Sequence, residues 1–258
     1  MPTTTIHTHP IFYTDSHKDP AGGTPPLLLI HGAGGNHLSW PPHLRRLDSV
    51  RVMALDLPGH GRSAGPGCTT ISAYRDVVRA FVDGLGLDRF VLAGHSMGGA
   101  IALDFARIFP ERVAGLGLIG TSARLRVAPA ILDGIRTDFA ATTQMMMDWM
   151  VGEAFPANAR RLALQRLRES DADVLHGDFV ACDAFDLRAE IDGLALPATI
   201  IVGEADRMTP PKFSVHLHTA LPHSELHRIP RAGHLVQLEQ PDTVTDLLAD
   251  FLQKRKGG

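Results

Sequence analysis

The stretch Phe90-Val91-Leu92-Ala93-Gly94-His95-Ser96-Met97-Gly98-Gly99 decides the fold of this chain of 258 residues. An apolar run typical of a buried strand leads into a serine between two glycines, and a helical pattern follows over 99–106. A serine at the apex of such a tight turn needs residues with almost no side chain two positions before and after it. Gly94 and Gly98 meet that need, so the sequence predicts a strand, a strained turn that carries Ser96, and a helix.

The same turn has the pattern of a nucleophile. G-x-S-x-G between a strand and a helix presents the serine hydroxyl at the end of a sheet. The start of the following helix leaves backbone N–H groups free, and these can bind a developing oxyanion. The alternative is a glycine-rich turn of some other α/β protein, in which the serine has no chemical role.

The composition is that of an ordinary globular protein, with 44% hydrophobic residues, 21% charged residues and a formal net charge of −3. Its length is common for a single α/β domain. No basic excess indicates nucleic-acid binding, and no apolar run is long enough to cross a membrane. The N-terminal residues lack the pattern of a secretory signal. We therefore expect a cytoplasmic protein with no nucleic-acid or membrane partner; the sequence predicts no oligomeric state.

Cysteine and histidine usage gives no sign of a metal centre. Cys68 and Cys182 lie far apart in the sequence, which favours free thiols over a disulfide framework. The histidines are scattered, and the two close pairs lack a zinc-like pattern of neighbouring ligands. These pairs are His7/His9 and His216/His218. We expect no metal and no cofactor.

Apolar runs that alternate with helical segments predict a mostly parallel sheet covered on both faces. Besides the strand before Ser96, strands are predicted at 27–30, 50–55, 113–119, 198–203 and 225–229, after an edge hairpin within 4–15 and a turn at 19–23. Further helices are predicted at 37–47, 71–85, 211–220 and 242–254. Only helical segments are predicted between 122 and 194. We interpret 122–194 as a helical cap over an α/β core formed by 1–121 and 195–258.

Two later loops offer partners for Ser96. A serine hydroxyl becomes a nucleophile when a base takes its proton, and the base needs an acid that orients it. Asp206 follows the strand at 198–203 and His234 follows the strand at 225–229, in the chain order serine, acid, histidine. Glu204 is the alternative acid from the same loop. For His234, the alternative is a solvated loop histidine.

Two backbone N–H groups are needed to hold an oxyanion at one point. Met97, directly after Ser96, is expected to supply one of them. The turn at 31–34 is expected to supply the other, from Ala33 first and Gly34 second, because its small residues let the backbone approach a substrate.

Five motifs make the chain resemble the α/β-hydrolase superfamily, over nearly its whole length outside the cap. They are His31–Gly35, Asp56–Ser63, Gly94–Gly99, Gly203–Asp206 and Gly233–His234, in that superfamily's order and spacing. The chain looks like the small bacterial esterase and lactonase branch. The resemblance implies an eight-stranded sheet, a lid after strand six and a Ser96–Asp206–His234 triad. The Asp56–Ser63 segment is expected to be a structural turn, with His60 as a second base only a remote alternative.

Specificity is expected to lie in the cap and around the 31–34 turn. The expected pocket residues are His31, Gly32, Met146, Trp149 and Leu235. The methionine-rich segment 145–150 predicts an adaptable apolar pocket, although packing of the cap on the core explains it equally well. A basic group could attract an acidic substrate or carrier protein, but a solvated helix face is the simpler interpretation. It consists of Arg160, Arg161, Arg166 and Arg168.

The leading hypothesis is a serine esterase that cleaves small to medium apolar esters through an acyl-enzyme. An enol-lactonase or a meta-cleavage C–C hydrolase would use the same groups. A ligand receptor or pseudoenzyme on the same fold is the alternative from another class. Related enzymes with a carboxylate nucleophile are excluded, because the elbow carries Ser96.

Overall fold

An eight-stranded sheet forms the centre of the protein. The computed structural model describes residues 3–6, 9–17, 23–48 and 50–256. The strand order is β1-β2-β4-β3-β5-β6-β7-β8. The strands are β1 (Thr3–Ile6), β2 (His9–Asp15), β3 (Leu27–Ile30), β4 (Val52–Leu55), β5 (Phe90–His95), β6 (Val113–Ile119), β7 (Ala198–Gly203) and β8 (Ser224–Ile229). β1 and β2 form an antiparallel edge hairpin, β2 pairs antiparallel with β4, and all later pairs are parallel. The mostly parallel eight-stranded sheet is therefore confirmed.

The helices cover both faces of the sheet and fill the stretch between β6 and β7. They are α1 (Ile71–Gly84), α2 (Met97–Ile108), α3 (Pro129–Thr137), α4 (Phe139–Met150), α5 (Ala157–Arg168), α6 (Ala172–Ala184), α7 (Pro211–Ala220), α8 (Val236–Glu239) and α9 (Pro241–Gln253). In α1 the side chain of Thr70 caps the first turn by accepting the N–H of Ala73, and one apolar face packs on the sheet.

The helix predicted over 37–47 is wrong. Two short 3₁₀ turns occupy His37–Ser39 and Leu44–Arg46 instead. Pro41 and Pro42 follow the first turn, where proline lacks the N–H that a continuing helix would need. The short helix α8 was not predicted, and most of the turn predicted at 19–23 lies outside the described residues.

Four helices, α3 to α6, stand where the cap was predicted, and we call residues 122–194 the cap segment. Their apolar side chains form a cluster of their own around Ile131, Met146 and Leu175. The end of α6 joins the larger core beside α1 and α2 through Cys182 and Phe185. The cap segment is thus packed on the sheet layer, while its status as a separate domain stays a prediction.

Both cysteines are free thiols, as expected, with Cys68 half-buried and Cys182 buried. Within the described ranges, no group of three His, Cys, Asp or Glu side chains lies close enough together to hold a metal ion. His7 of the first histidine pair lies outside those ranges. None of the helices described combines the length and the apolar character needed to cross a membrane.

Candidate active site

Ser96 stands at a strained turn between β5 and α2. Its backbone has φ 53° and ψ −117°, a conformation that costs a non-glycine residue energy. The turn is feasible because its flanking residues are glycines: a Cβ on Gly94 would overlap the carbonyl group of Gly98, and one on Gly98 would overlap the carbonyl group of Ile30. The predicted role of these two glycines is confirmed.

Asp206 and His234 meet at the same edge of the sheet, because β5, β7 and β8 are parallel and end there together. His234 Nδ1 lies 2.9 Å from Asp206 Oδ2, and both side chains are buried. The other carboxylate oxygen accepts the N–H groups of Met208 and Thr209, each at 2.8 Å. Although burial alone would raise the pKa of Asp206, His234 and Thr209 lower it, so the carboxylate form is favoured.

Thr209 is a neighbour of this pair that the sequence analysis missed. Its hydroxyl oxygen lies 2.8 Å from Asp206 Oδ2, 2.8 Å from the Gly120 carbonyl oxygen and 3.1 Å from His234 Nδ1. The signal was an Asp followed three residues later by Thr just before a helix. Glu204 is exposed and pairs with Arg228, so the structure places Asp206 rather than Glu204 against His234.

The loop that carries His234 is tied to the cap segment. The N–H groups of His234 and Leu235 donate to the Met150 carbonyl at the end of α4, at 2.6 and 3.1 Å. Glu239 accepts the N–H of Gly233 at 2.9 Å and that of Gly152, in the cap segment, at 2.8 Å. Burial raises the pKa of Glu239, and these two donors partly oppose that shift.

The hydrogen bonds of the described residues do not include one between the Ser96 hydroxyl and His234. The ring nearest to His234 is that of His95, whose Nε2 donates to the His234 carbonyl oxygen at 2.9 Å, with ring centroids 4.7 Å apart. Catalytic hydrogen bonds are often long before substrate binds.

The N–H groups expected to hold an oxyanion belong to Met97, directly after Ser96, and to the 31–34 turn, whose Gly32 lies against Ser96. Among the described residues, no hydrogen-bond acceptor is found for the N–H of Met97 or for that of Ala33. The Gly34 N–H, by contrast, donates to the buried carboxylate of Asp178 at 2.9 Å. Of the two donors expected from the 31–34 turn, Gly34 is therefore occupied, while Ala33 has no acceptor among the described residues.

Two cavities lie in this region, one lined by Ser96 and the other by residues 32–36. The Ser96 cavity has a volume of about 180 Å³ and is lined mainly by apolar side chains. They include Leu125, Ile131, Trp149, Phe179, Cys182 and Met208. The Gly32 cavity, of about 70 Å³, lies beside the 32–36 backbone and is also lined by His95, Leu235 and Gln237.

The expected pocket residues divide between these places. Trp149 lines the Ser96 cavity, and Gly32 and Leu235 line the Gly32 cavity. Met146 is instead buried in the apolar cluster of the cap segment. His31 is also fully buried: its Nδ1 donates to the Gly32 carbonyl oxygen and its Nε2 accepts the Leu57 N–H. Neither Met146 nor His31 lines either cavity, so both expectations are corrected.

Two of the four arginines in the basic group of the cap segment are engaged by protein contacts. Arg160 pairs with Asp148, and Arg168 donates to the Ala140 carbonyl oxygen. Arg166 borders the Gly32 cavity. The contacts of Arg160 and Arg168 favour the interpretation that this basic group is a solvated helix face.

Comparison with known proteins places this geometry in a family. The model of the alpha/beta hydrolase family matches residues 27–247. A dihydrolipoyllysine-residue acetyltransferase component of an acetoin cleaving system from Pseudomonas putida is 31% identical over 90% of this chain, and the chain spans only 64% of that protein. A 2-hydroxy-6-oxononadienedioate/2-hydroxy-6-oxononatrienedioate hydrolase from Paraburkholderia phymatum is 30% identical, over 92% of this chain and 90% of that one.

Solved structures agree with the sequence matches. A thermophilic esterase from Thermogutta terrifontis superposes with a TM-score of 0.85 at 28% identity, covering 98% of this chain and 97% of the other. Since the family match extends over most of the sheet and the whole cap segment, and the resemblance seen in the motifs agrees with it, the chain belongs to the α/β-hydrolase family.

Proposed function

We propose that this protein is a serine hydrolase that cleaves carboxylic esters through an acyl-enzyme. One observation carries the proposal. The buried hydrogen bond between His234 Nδ1 and Asp206 Oδ2, 2.9 Å long, lies at the sheet edge where the strained turn presents Ser96. A carboxylate that accepts from Nδ1 leaves Nε2 of the imidazole free to take a proton, which is what a serine nucleophile requires.

In the proposed reaction, Ser96 Oγ forms a bond to the ester carbonyl carbon while its proton passes to His234 Nε2. The carbonyl electron pair moves onto oxygen, and the tetrahedral intermediate collapses as the carbon–alcohol bond breaks. His234 gives its proton to the departing alkoxide. A water molecule then repeats the sequence on the acyl-enzyme: His234 takes the water proton and returns it to Ser96 Oγ, which releases the acid.

The negative oxygen of both intermediates is assigned to the N–H groups of Ala33 and Met97. Their lack of another acceptor in the described structure supports this assignment, as does the engagement of the Gly34 N–H by Asp178. Donors that are already oriented stabilise the developing charge without the cost of reorganisation.

Apolar esters of small to medium size are the proposed substrates. The Ser96 cavity of about 180 Å³ is lined mainly by apolar side chains of the cap segment and by Met208, and this apolar part suits a short acyl or alcohol group. Arg126 and Arg207 are the charged residues of its lining. The esterase from Thermogutta terrifontis supports the ester as the bond that is cleaved.

Hydrolysis of p-nitrophenyl esters of graded acyl length by the wild type and Ser96→Ala tests the proposal. We expect sustained turnover by the wild type and a fall in kcat on the order of 10⁴- to 10⁶-fold in the variant. Ser72→Ala, at an exposed hydroxyl of α1, is the matched control and should retain wild-type turnover. Turnover that survives Ser96→Ala would overturn the proposal.

A second candidate uses the same groups on another bond. The name of the Paraburkholderia phymatum relative, a hydrolase of 2-hydroxy-6-oxononadienedioate, supports the meta-cleavage C–C hydrolase alternative. The enol-lactonase alternative would use the same groups on the C–O bond of a lactone. Lactones and such dienedioates assayed beside the p-nitrophenyl esters separate these activities. Acylation of Ser96 in a single turnover, without sustained release, would instead favour a receptor or pseudoenzyme.

A further inference from the structure

Asp178 is a fully buried carboxylate of the cap segment, and the proposed chemistry does not use it directly. It lies on α6 and accepts three hydrogen bonds from three different elements. Its Oδ2 accepts the Gly34 N–H at 2.9 Å and His60 Nε2 at 2.8 Å, and its Oδ1 accepts the Tyr74 hydroxyl at 2.5 Å. A buried carboxylate is costly unless donors surround it, so this arrangement is a specific one.

The hydrogen bond to Gly34 fixes the peptide that directly follows Ala33. Gly34 has a φ of +62°, and a Cβ there would lie 2.7 Å from a methyl carbon of Leu175 and 3.0 Å from one of Leu167. Both leucines belong to the cap segment. The turn that carries the proposed oxyanion donor is therefore held against the cap by a charged acceptor on one side and by close packing on the other.

The start of the same turn is held through two histidines. His31 accepts the Leu57 N–H at 3.0 Å, and its ring lies 4.9 Å from the ring of His60, measured between centroids. His60 in turn donates to Asp178. Contacts from the cap segment thus reach the turn both directly at Gly34 and through His60 and His31.

The charge of Asp178 is balanced where it lies. Burial alone would lower the pKa of His60, but the carboxylate of Asp178 outweighs burial, and the pKa is raised. Both ring nitrogens of His60 face acceptors, the Pro58 carbonyl oxygen at 2.9 Å and Asp178 at 2.8 Å, an arrangement that a positive imidazolium satisfies and that would offset the carboxylate. This matters because an uncompensated negative charge beside the turn would oppose the negative oxygen formed at Ala33.

We propose that Asp178 is a positioning residue for the hydrolytic reaction: from the cap segment it orients the 31–34 turn, so that docking of the cap and formation of the oxyanion hole are one structural event. This inference rests on the proposed function. The competing interpretation is that Asp178 only attaches the cap to the core. That role would change stability without a selective effect on the transition state.

The test compares Asp178→Ala with Asp178→Asn. Alanine removes every acceptor, and we expect kcat for a p-nitrophenyl ester to fall on the order of 10- to 100-fold with KM within about threefold of wild type. Asparagine keeps the volume and one carbonyl oxygen but exchanges a charged acceptor for a neutral one, so we expect kcat to fall about 3- to 10-fold. The inhibition constant of a trifluoromethyl ketone, whose adduct with Ser96 carries an oxyanion, should rise in proportion to the loss of kcat/KM.

Two control variants separate positioning from attachment. Tyr74→Phe removes the cap-to-α1 hydrogen bond and leaves the Gly34 N–H bonded, so it should lower the Tm while kcat stays within about threefold. Asp173→Ala changes an exposed carboxylate of the same helix and should alter neither quantity.

The results for these variants separate the positioning role of Asp178 from the proposed function. If Ser96→Ala abolishes turnover but Asp178→Ala keeps kcat within threefold, or loses no more kcat than Tyr74→Phe, this inference is overturned and the proposed function stands. If Asp178→Ala does not fold, Asp178→Asn decides alone, and a kcat within twofold of wild type overturns the inference. If Ser96→Ala retains turnover, both fail.

Discussion

The sheet core and the cap segment contribute to the site in different ways. The groups assigned to the reaction all lie in the core, in loops or at the start of α2: Ser96, Asp206, His234, Ala33 and Met97. The cap segment supplies the apolar wall of the Ser96 cavity and the acceptors that hold two of those loops. Under the proposed function, the core supplies the reacting groups and the cap segment positions two of the loops that carry them.

The cap segment holds the 31–34 turn and the loop that carries His234 through different kinds of hydrogen bond. On the oxyanion side, the side chain of Asp178 reaches a backbone N–H of the core. On the histidine side, the carbonyl oxygen of Met150 accepts from the core backbone, and Glu239 of the core reaches back to Gly152 of the cap segment. One substitution can therefore remove the hydrogen bond to the 31–34 turn, and another can remove the contact to the His234 loop. The effect of each contact can be measured separately.

After Ser96→Ala, the largest effect is expected within the core, at the acid that orients His234. Asp206→Asn keeps the shape but turns a carboxylate acceptor into an amide, which favours the wrong tautomer of His234. We expect kcat to fall on the order of 10³- to 10⁴-fold. Steady-state kinetics with a p-nitrophenyl ester measure this loss. Glu204→Gln is the matched control and should stay within twofold; equal losses in the two variants would contradict the assignment of the acid.

A large effect on stability is expected from two histidines buried in the core near the site. Burial lowers the pKa of His31 to about 4 and that of His95 to about 3. Between these values and about 6.5 the unfolded chain binds more protons than the folded one, so stability falls as the pH falls. The two histidines together should lower the free energy of unfolding by up to about 4 kcal/mol between pH 7 and pH 5.

His60 acts in the opposite direction. Its raised pKa stabilises the fold below the unfolded value of about 6.5, and that contribution is lost as the pH rises through the folded pKa. Urea unfolding at pH 5, 6, 7 and 8 measures the whole profile. His95→Asn, which can still donate to the His234 carbonyl, should halve the slope on the acid side. A free energy that stays flat from pH 7 to pH 5 would show that these buried histidines do not control stability.

The smallest effect is expected at Glu239, which links the loop that carries His234 to Gly152 of the cap segment. Glu239→Ala leaves the N–H groups of Gly233 and Gly152 without their acceptor, and we expect a loss of about 2 kcal/mol in the free energy of unfolding. We expect kcat to fall less than 10-fold, because two backbone hydrogen bonds to Met150 still hold the loop. Asp242→Ala, at an exposed carboxylate nearby, is the control. A wild-type unfolding curve for Glu239→Ala would show that this tie is dispensable.

Local patterns predicted the sheet well for a physical reason. Strands β3, β6 and β7 are buried on both faces and read as unbroken apolar runs, so their predicted bounds match those observed. The helix predicted over 37–47 does not form, because two prolines interrupt that segment. The backbone forms two short 3₁₀ turns instead. The spacing of apolar residues indicates which face of a helix or strand is buried. It does not determine the backbone conformation of a loop.

The sequence by itself determined the order of the strands along the chain, the glycines around Ser96, and the loops in which Asp206 and His234 lie, because each of these depends on residues close together in the chain. Only the tertiary structure decided that Asp206 and not Glu204 contacts His234, that His31 and Met146 are buried away from the cavities, and that Asp178 binds Gly34 across 144 residues of sequence. The physical reason is that a hydrogen bond needs two groups within about 3 Å in space. Folding alone brings such distant groups together, and no local pattern records which of them will meet.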